Sequence, residues 1–313
     1  MIGRGGSIIL PSSFRSTIII ALLNARANRR RLVDIFRDRY IGHVNISSFH
    51  SHTRLCKHAA GVPVDYVRRA EADGGCSALG ISDHAPYPDD SVWPDSRMTV
   101  AQIPEYVSMV REAKDIAPFP LYWGFECEWY PAYDSWYRDF LRSEIGAEFL
   151  VYGSHWVNDN GEFWYIPEIS DKKLFFRYID LTVGGIRSGN YDFIAHPDLF
   201  LGGFVHMDDD VKAGCKAIIA AAVDEGLPLE INGLGLRRPK LKGDNGMRSP
   251  YPVREFWEMA AAAGATIICN SDAHMVEHVL ASARNAWAFA EEIGIRPVDT
   301  VEALKFTKKA KKA

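Results

Sequence analysis

The chain has 313 residues, 47% of them hydrophobic, and a formal net charge of −4. That composition supports a large core, and the length suits one α/β catalytic domain with terminal additions, since α/β barrels run to about 250 residues as single domains and no Pro/Gly/Ser-rich linker divides the sequence. The near-neutral charge argues against nucleic acid or an anionic membrane as a partner, and five scattered cysteines without C-x-x-C spacing argue against a disulfide framework and for a reducing compartment, the cytoplasm.

Residues 1–42 stand apart: they hold eight arginines, no lysine and two acidic residues, a composition shared by organellar transit peptides and by unstructured or over-extended N termini, and they are set aside from the fold. From residue 43 onward, short apolar runs at 44–49, 78–82, 121–125, 148–153, 192–195, 227–231 and 265–270 predict buried parallel strands. Helical periodicity fills the intervals at 64–72, 103–115, 172–188, 209–224, 253–263 and 277–293, with Pro63 and Pro104 at helix starts and Gly226, Gly264 and Gly294 past helix ends. Repeated βα units imply a parallel sheet, and seven or eight of them can close into a barrel, here spanning 43–300 and followed by a short basic tail, 301–313.

The ends of these strands carry the chemistry. In chain order they bear His50-Ser51-His52 with His58 beyond, Ser82-Asp83-His84, Gly124-Phe125-Glu126, Gly153-Ser154-His155, Ala195-His196-Pro197 and Ser271-Asp272-Ala273-His274, while the strand at 227–231 carries Glu230-Ile231-Asn232. Seven of the ten histidines fall in these motifs. A lone histidine after a strand is usually a packing residue, but this many imidazoles and carboxylates at one barrel mouth form a donor set for two or three divalent metals such as zinc, iron or manganese. An open doubly wound sheet would place its site at one switch point and leave most of these motifs unexplained. Cys56 and Cys127 lie within the motifs, either as further ligands or as small buried residues. Asp198 is placed to orient a ligand or to receive a substrate amine, and the aromatic run Trp123, Trp129, Tyr130, Trp136 and Tyr137 to wall a planar ring or fill the core. His43, His206 and His278 fall outside the pattern. No P-loop, Rossmann fingerprint or nucleophile elbow is present.

This order of motifs resembles the PHP (polymerase and histidinol phosphatase) superfamily over residues 44 to 293, which implies a distorted (β/α)7 barrel with the metal site at the C-terminal ends of the strands. Three further stretches are similar to its PHP-type histidinol-phosphate phosphatases: 83–88 leading to Arg97-Met98, Glu230-Ile231-Asn232 leading to 235–237, and 249–252. The resemblance implies one metal held by His50, His52, Glu126 and Asp272, a second by Glu126, His155 and His196 with Glu126 bridging, and a third by His58, His84 and His274. Glu128 is the alternative bridge. Glu126, Asp272, His84 and His274 are expected to serve catalysis as well, with Arg97, Arg237 and Arg254 contacting a small phosphorylated substrate.

The implied reaction is hydrolysis of L-histidinol phosphate by a metal-activated hydroxide, without a covalent phospho-enzyme. Other phosphomonoesters, nucleotides or phosphotyrosyl peptides are alternative substrates, and a non-catalytic metal-binding module is the alternative outside enzymes. One departure stands out: where many relatives carry aspartate two residues before the first histidine, this chain has Ser48, a weaker partner for orienting a ligand.

Overall fold

The computed structural model describes residues 45–92 and 95–304. The N-terminal extension, His43 and residues 305–313 of the basic tail lie outside the described residues. Seven strands form one parallel sheet in the order β1 (Ile46–Ser48), β2 (Cys76–His84), β3 (Leu121–Cys127), β4 (Phe149–Gly153), β7 (Phe193–Ala195), β8 (Leu229–Asn232) and β11 (Ile267–Asn270). The first and last meet at a parallel bridge between Ser51 and Ala273, where His52 N donates to Ala273 O at 2.8 Å, so the sheet is a nearly closed barrel. The predicted parallel barrel is therefore the observed one.

Helices cross between the strands: α1 (Pro63–Asp73), α2 (Ile103–Ile116), α3 (Lys172–Arg187), α4 (Asp209–Glu225) and α5 (Arg254–Ala262), with α6 (Ala281–Glu292) after the last strand. Pro63 and Pro104 sit in the first turns of α1 and α2, where a missing N–H costs nothing, while Asp171 and Asp208 cap α3 and α4 through the N–H groups of Leu174 and Val211. The helix expected from residue 277 starts at 281, after a short 3-10 turn at Val276–His278. Between β3 and β4 the crossover is a wide π-type helical segment, Trp136–Glu144, that no predicted helix covers.

Two small antiparallel hairpins had no counterpart among the predicted elements: β5 (Trp156–Asp159) with β6 (Glu162–Tyr165), and β9 (Leu241–Gly243) with β10 (Gly246–Arg248). Each is announced by an Asn-Gly pair, Asn160-Gly161 and Asn245-Gly246, the residue pair that tight hairpin turns favour. Asn160 and Gly161 both have positive φ, 56° and 92°.

Alternation along the strands separates two cores. Leu150, Tyr152, Ile194, Leu229, Ile231, Ile267 and Cys269 face the helices in the large outer cluster. Phe49, Ala78, Phe149, Val151, Phe193, Ala195 and Ile268 fill the barrel interior. The packing runs past residue 300: Ala303 and Leu304 belong to the inner cluster, and Asp299 accepts Ser47 N at 3.0 Å, so the first residues of the expected tail pack against the barrel. No helix among the described residues is long and apolar enough to cross a membrane, and all five cysteines are unpaired.

Candidate metal centre

The same two-residue period that points Phe149 and Val151 into the barrel brings Glu126, Glu230, Asn232 and Asn270 inward one layer higher, at the strands' C-terminal ends. Gly153 leaves room there. A Cβ at that position would meet Glu126 Cδ at 2.7 Å and overlap its Oε1, so the absent side chain is what lets the Glu126 carboxylate lie across β4.

Glu126 is the hub. Its Oε1 lies 3.0 Å from His196 Nε2, 3.4 Å from His50 Nε2 and 3.6 Å from His155 Nε2, while Oε2 lies 3.1 Å from His84 Nδ1 and 3.5 Å from His52 Nε2. Asp272 is the second carboxylate: Oδ1 lies 3.1 Å from His52 Nε2, 3.4 Å from His274 Nδ1 and 3.5 Å from His50 Nε2. His196 and Asp272 each follow a strand end with positive φ, 31° and 52°, a conformation that costs non-glycine residues energy and here turns their side chains toward the hub. His58 stands at the open edge, its ring 4.9 Å from that of His274 and 5.3 Å from that of His84. All nine residues expected as ligands are thus brought together.

Several imidazoles are fixed from behind. Glu128 Oε1 lies 2.7 Å from His155 Nδ1, and Glu230 lies 2.9 Å from His50 Nδ1. Nδ1 of His58 faces Cys56 O at 2.8 Å and Nδ1 of His274 faces Asp272 O at 3.1 Å, so both rings turn Nε2 away from the backbone. Glu128, the alternative bridging carboxylate, instead backs His155.

The electrostatics follow from packing bases and acids together out of water. Burial alone would raise the Glu126 carboxyl, but His50, His155 and His84 outweigh it and hold it well below the usual carboxylate range; Asp272 is held low in the same way, chiefly by His50 and His52. Burial would lower His50, yet Glu230, Asp272 and Glu126 keep it well above its ordinary value, and His52 is likewise raised, by the nearby carboxylates of Asp272 and Asp83. His274 is pushed down to about 3 by burial and by His52.

The donor set fits divalent cations. Nε2 of His50, both nitrogens of His52 and Oδ1 of Asp272 are buried without hydrogen-bond partners, an expensive condition that a cation relieves. Donor atoms gather within 4.8 Å in the sets His50–His52–Asp272, His50–Glu126–His196, His52–His84–His274 and Cys56–His58–His274. Cys56 therefore stands beside the centre. Cys127 does not: it packs in the outer core with its thiol pushed up by burial.

A cavity of about 160 Å³ opens onto these residues, its far wall formed by Trp156, Tyr165, Tyr251, Leu234, Arg97 and Arg238. Arg97 is buried, donates to Ala85 O at 3.0 Å and lies over the Tyr87 ring at 4.8 Å. The other two candidate arginines stand elsewhere. Arg237 is exposed and outside the cavity lining; the 3-10 turn Gly235–Arg237 presents its neighbour Arg238 instead. Arg254 is on the outer surface, paired with Glu258 at 3.6 Å and Glu292 at 3.4 Å. Asp198 serves neither role expected of it, since it is buried away from the cavity and accepts Val253 N at 2.7 Å and Trp257 Nε1 at 3.0 Å, pinning the start of α5. The aromatic run after Glu128 belongs to the core and to an outer groove, and the rings that wall the cavity come from the unpredicted β5–β6 hairpin and from Tyr251. His206 makes a surface pair with Asp244 at 2.6 Å.

The family model described as the PHP domain matches residues 48–233. The chain belongs to the PHP-domain family. A probable histidinol-phosphatase of Deinococcus radiodurans is 31% identical over 239 residues, 72% of this chain and 85% of that protein. The fold matches the solved histidinol phosphate phosphatase of Lactococcus lactis, complexed with zinc, L-histidinol and phosphate, with a TM-score of 0.62 over 82% of this chain and 96% of that one, at 13% identity. This PHP-domain protein is a metal-dependent phosphoesterase of the histidinol-phosphatase-like kind.

Proposed function

We propose that this PHP-domain enzyme hydrolyses L-histidinol phosphate to L-histidinol and phosphate, using two or three divalent cations drawn from zinc, iron and manganese. The observation that carries the reading is the Glu126 hub, one carboxylate within 3.6 Å of five imidazoles, beside a cavity with two arginines and an aromatic wall. The Deinococcus and Lactococcus relatives support the choice of substrate. His50, His52, Glu126 and Asp272 would hold one cation, Glu126, His155 and His196 a second, and His58, His84 and His274 a third. Bound there, divalent cations supply Lewis-acid neutralisation of phosphoryl charge and acidify water, the help that slow phosphomonoester hydrolysis needs.

The remaining work falls to the chain's own side chains. Arg97 and Arg238 present guanidinium forks suited to phosphate oxygens. Trp156, Tyr165 and Tyr251 offer faces on which a planar imidazole stacks, and the enclosure strengthens every charge interaction inside it. Glu128 holds the His155 ring in place. The aromatic wall would suit an aryl phosphate too, which makes a phosphotyrosyl ester the second reading.

The test is phosphate release by purified, metal-analysed protein from L-histidinol phosphate, p-nitrophenyl phosphate, phosphotyrosyl peptide and a nucleotide panel, with Glu126→Ala as control. A strong preference for histidinol phosphate that disappears in the variant is expected. Equal or better turnover of the other esters would sink the substrate assignment, and no turnover at full metal loading would sink the enzyme reading.

A further inference from the structure

Glu230 lies behind His50, on the side away from the cavity, fully buried, with no lysine or arginine paired to it among the described residues. Its surroundings are fixed by backbone N–H groups, which only donate. Phe49 N donates to Asn270 Oδ1 at 2.8 Å, so the Asn270 amide turns Nδ2 toward Glu230 Oε2 at 3.4 Å. Leu234 N and Gly235 N donate to Asn232 Oδ1 at 2.9 and 3.2 Å, so Asn232 Nδ2 faces Glu230 Oε1 at 2.6 Å. Both side-chain amides therefore point N–H at the carboxylate. His50 Nδ1 lies 3.1 and 2.9 Å from the same two oxygens.

An ionised carboxylate accepts and never donates, so this arrangement requires the proton of a neutral His50 ring to sit on Nδ1. The lone pair is then on Nε2, the atom 3.4 Å from Glu126 Oε1 and 3.5 Å from Asp272 Oδ1 that is left without a hydrogen-bond partner. Ser48 does not bond the His50 ring: its hydroxyl donates to Ser271 Oγ at 2.9 Å, and Ser271 Oγ donates in turn to the His50 backbone carbonyl at 2.7 Å.

We propose that Glu230 is a positioning residue that sets the tautomer and orientation of His50 and so controls binding of the cation shared with His52, Glu126 and Asp272. The inference rests on the metal reading given above. Glu230 touches no substrate and acts through one ligand. Its replacement by glutamine keeps the shape but turns an N–H toward donors, which removes the demand for a proton on Nδ1. Replacement by aspartate keeps the charge and withdraws it.

Chelator competition with Zn²⁺ and Mn²⁺ on the full chain separates the possibilities, with circular dichroism as the check on folding. Glu230→Gln is expected to weaken one metal equivalent about 10- to 100-fold, Glu230→Asp less, with KM at saturating metal unchanged. Metal affinity equal to wild type in a folded Glu230→Gln protein would overturn the proposal and leave Glu230 a structural residue. Should that variant fail to fold, ¹⁵N-histidine spectra of the zinc-loaded wild type decide: His50 protonated on Nδ1 is expected, and a bare Nδ1 refutes it. Wild-type protein that takes up no divalent metal overturns the metal reading, and this inference with it.

Discussion

The tightest steric constraint on the centre comes from a glycine, and it makes a sharp prediction. In Gly153→Ala the new methyl would overlap Glu126 Oε1 and stand 2.7 Å from Cδ and 2.8 Å from Cγ, against ordinary contacts of 3.4–4 Å. What yields is a side chain, so the carboxylate retreats by about 1 Å while the barrel holds, at a stability cost near the low end of the roughly 1–3 kcal/mol of overpacking. That retreat breaks the approach to His196 at 3.0 Å and to His84 at 3.1 Å together. A misplacement of about 1 Å in a reacting constellation costs on the order of 100-fold in kcat/KM, and a displaced bridge should also release metal. Gly124→Ala is the contrasting control. Its methyl would collide with the backbone carbonyl of Phe149 across the β3–β4 pairing, so the sheet must open, at a cost above about 4 kcal/mol. Phosphate release, metal content and denaturant midpoints for the two variants decide the matter. A folded Gly153→Ala enzyme with full metal content and wild-type kcat/KM would refute the reasoning, as would a Gly153→Ala protein that unfolds like Gly124→Ala.

Three more predictions bear on the surrounding residues. Arg238→Ala should lower kcat/KM about 10- to 100-fold, the worth of charged hydrogen bonds to a phosphorylated substrate, whereas Arg237→Ala stays within about twofold; steady-state kinetics showing the reverse would return the role to Arg237. Glu128→Gln removes the charged partner of His155 Nδ1 and should cost about 10- to 100-fold in activity at limiting metal, recovered by excess metal; a loss that excess metal leaves untouched would count against a positioning role. The Asp198 carboxyl is raised by burial to about 7, against 3.8 when unfolded, so its contribution to stability is full below about pH 4 and is lost as pH rises through about 7. The stability of wild type relative to Asp198→Asn should therefore fall by up to about 1.4 kcal/mol per pH unit across that window in denaturant titrations; a difference that grows with pH would show an ionised, stabilising Asp198.

The gathering of these nine residues at one face was legible because two independent regularities coincide on them. Eight of them lie on or just beyond a strand end, and barrel topology carries strand ends to one face whatever their separation in sequence, while His58 reaches the same face from the loop after the 3-10 turn Arg54–Cys56. What was hidden depends on local rotation. Arg237 and Arg238 are adjacent, and a single 3-10 turn decides which faces the cavity; sequence order carries no trace of that choice. Arg254 opens α5 on its outer face, where Glu258 one turn on already signals an exposed ion pair. Trp156 and Tyr165 could have been found from the Asn160-Gly161 turn, which sets the two residues opposite each other across the β5–β6 hairpin.

The hidden part of the site has a common physical origin in the barrel's inward-facing positions. A side chain pointing inward at the base of a strand must be apolar, as Phe149, Phe193 and Ile268 are, and that requirement shows in the sequence as hydrophobic alternation. One layer higher the same inward direction ends at a cluster of polar groups, so Glu126, Glu230, Asn232 and Asn270 break the alternation. Each break looks identical in sequence, a polar residue inside an apolar run. Only the hydrogen bonds separate them: Glu126 faces five imidazoles at the cavity, whereas Glu230 faces the back of one, ringed by amides whose direction the backbone dictates. Burial without a lysine or arginine partner is expensive for a carboxylate, and Glu230 is placed at that expense on the far side of His50, where it bears on which nitrogen of that ring carries the proton.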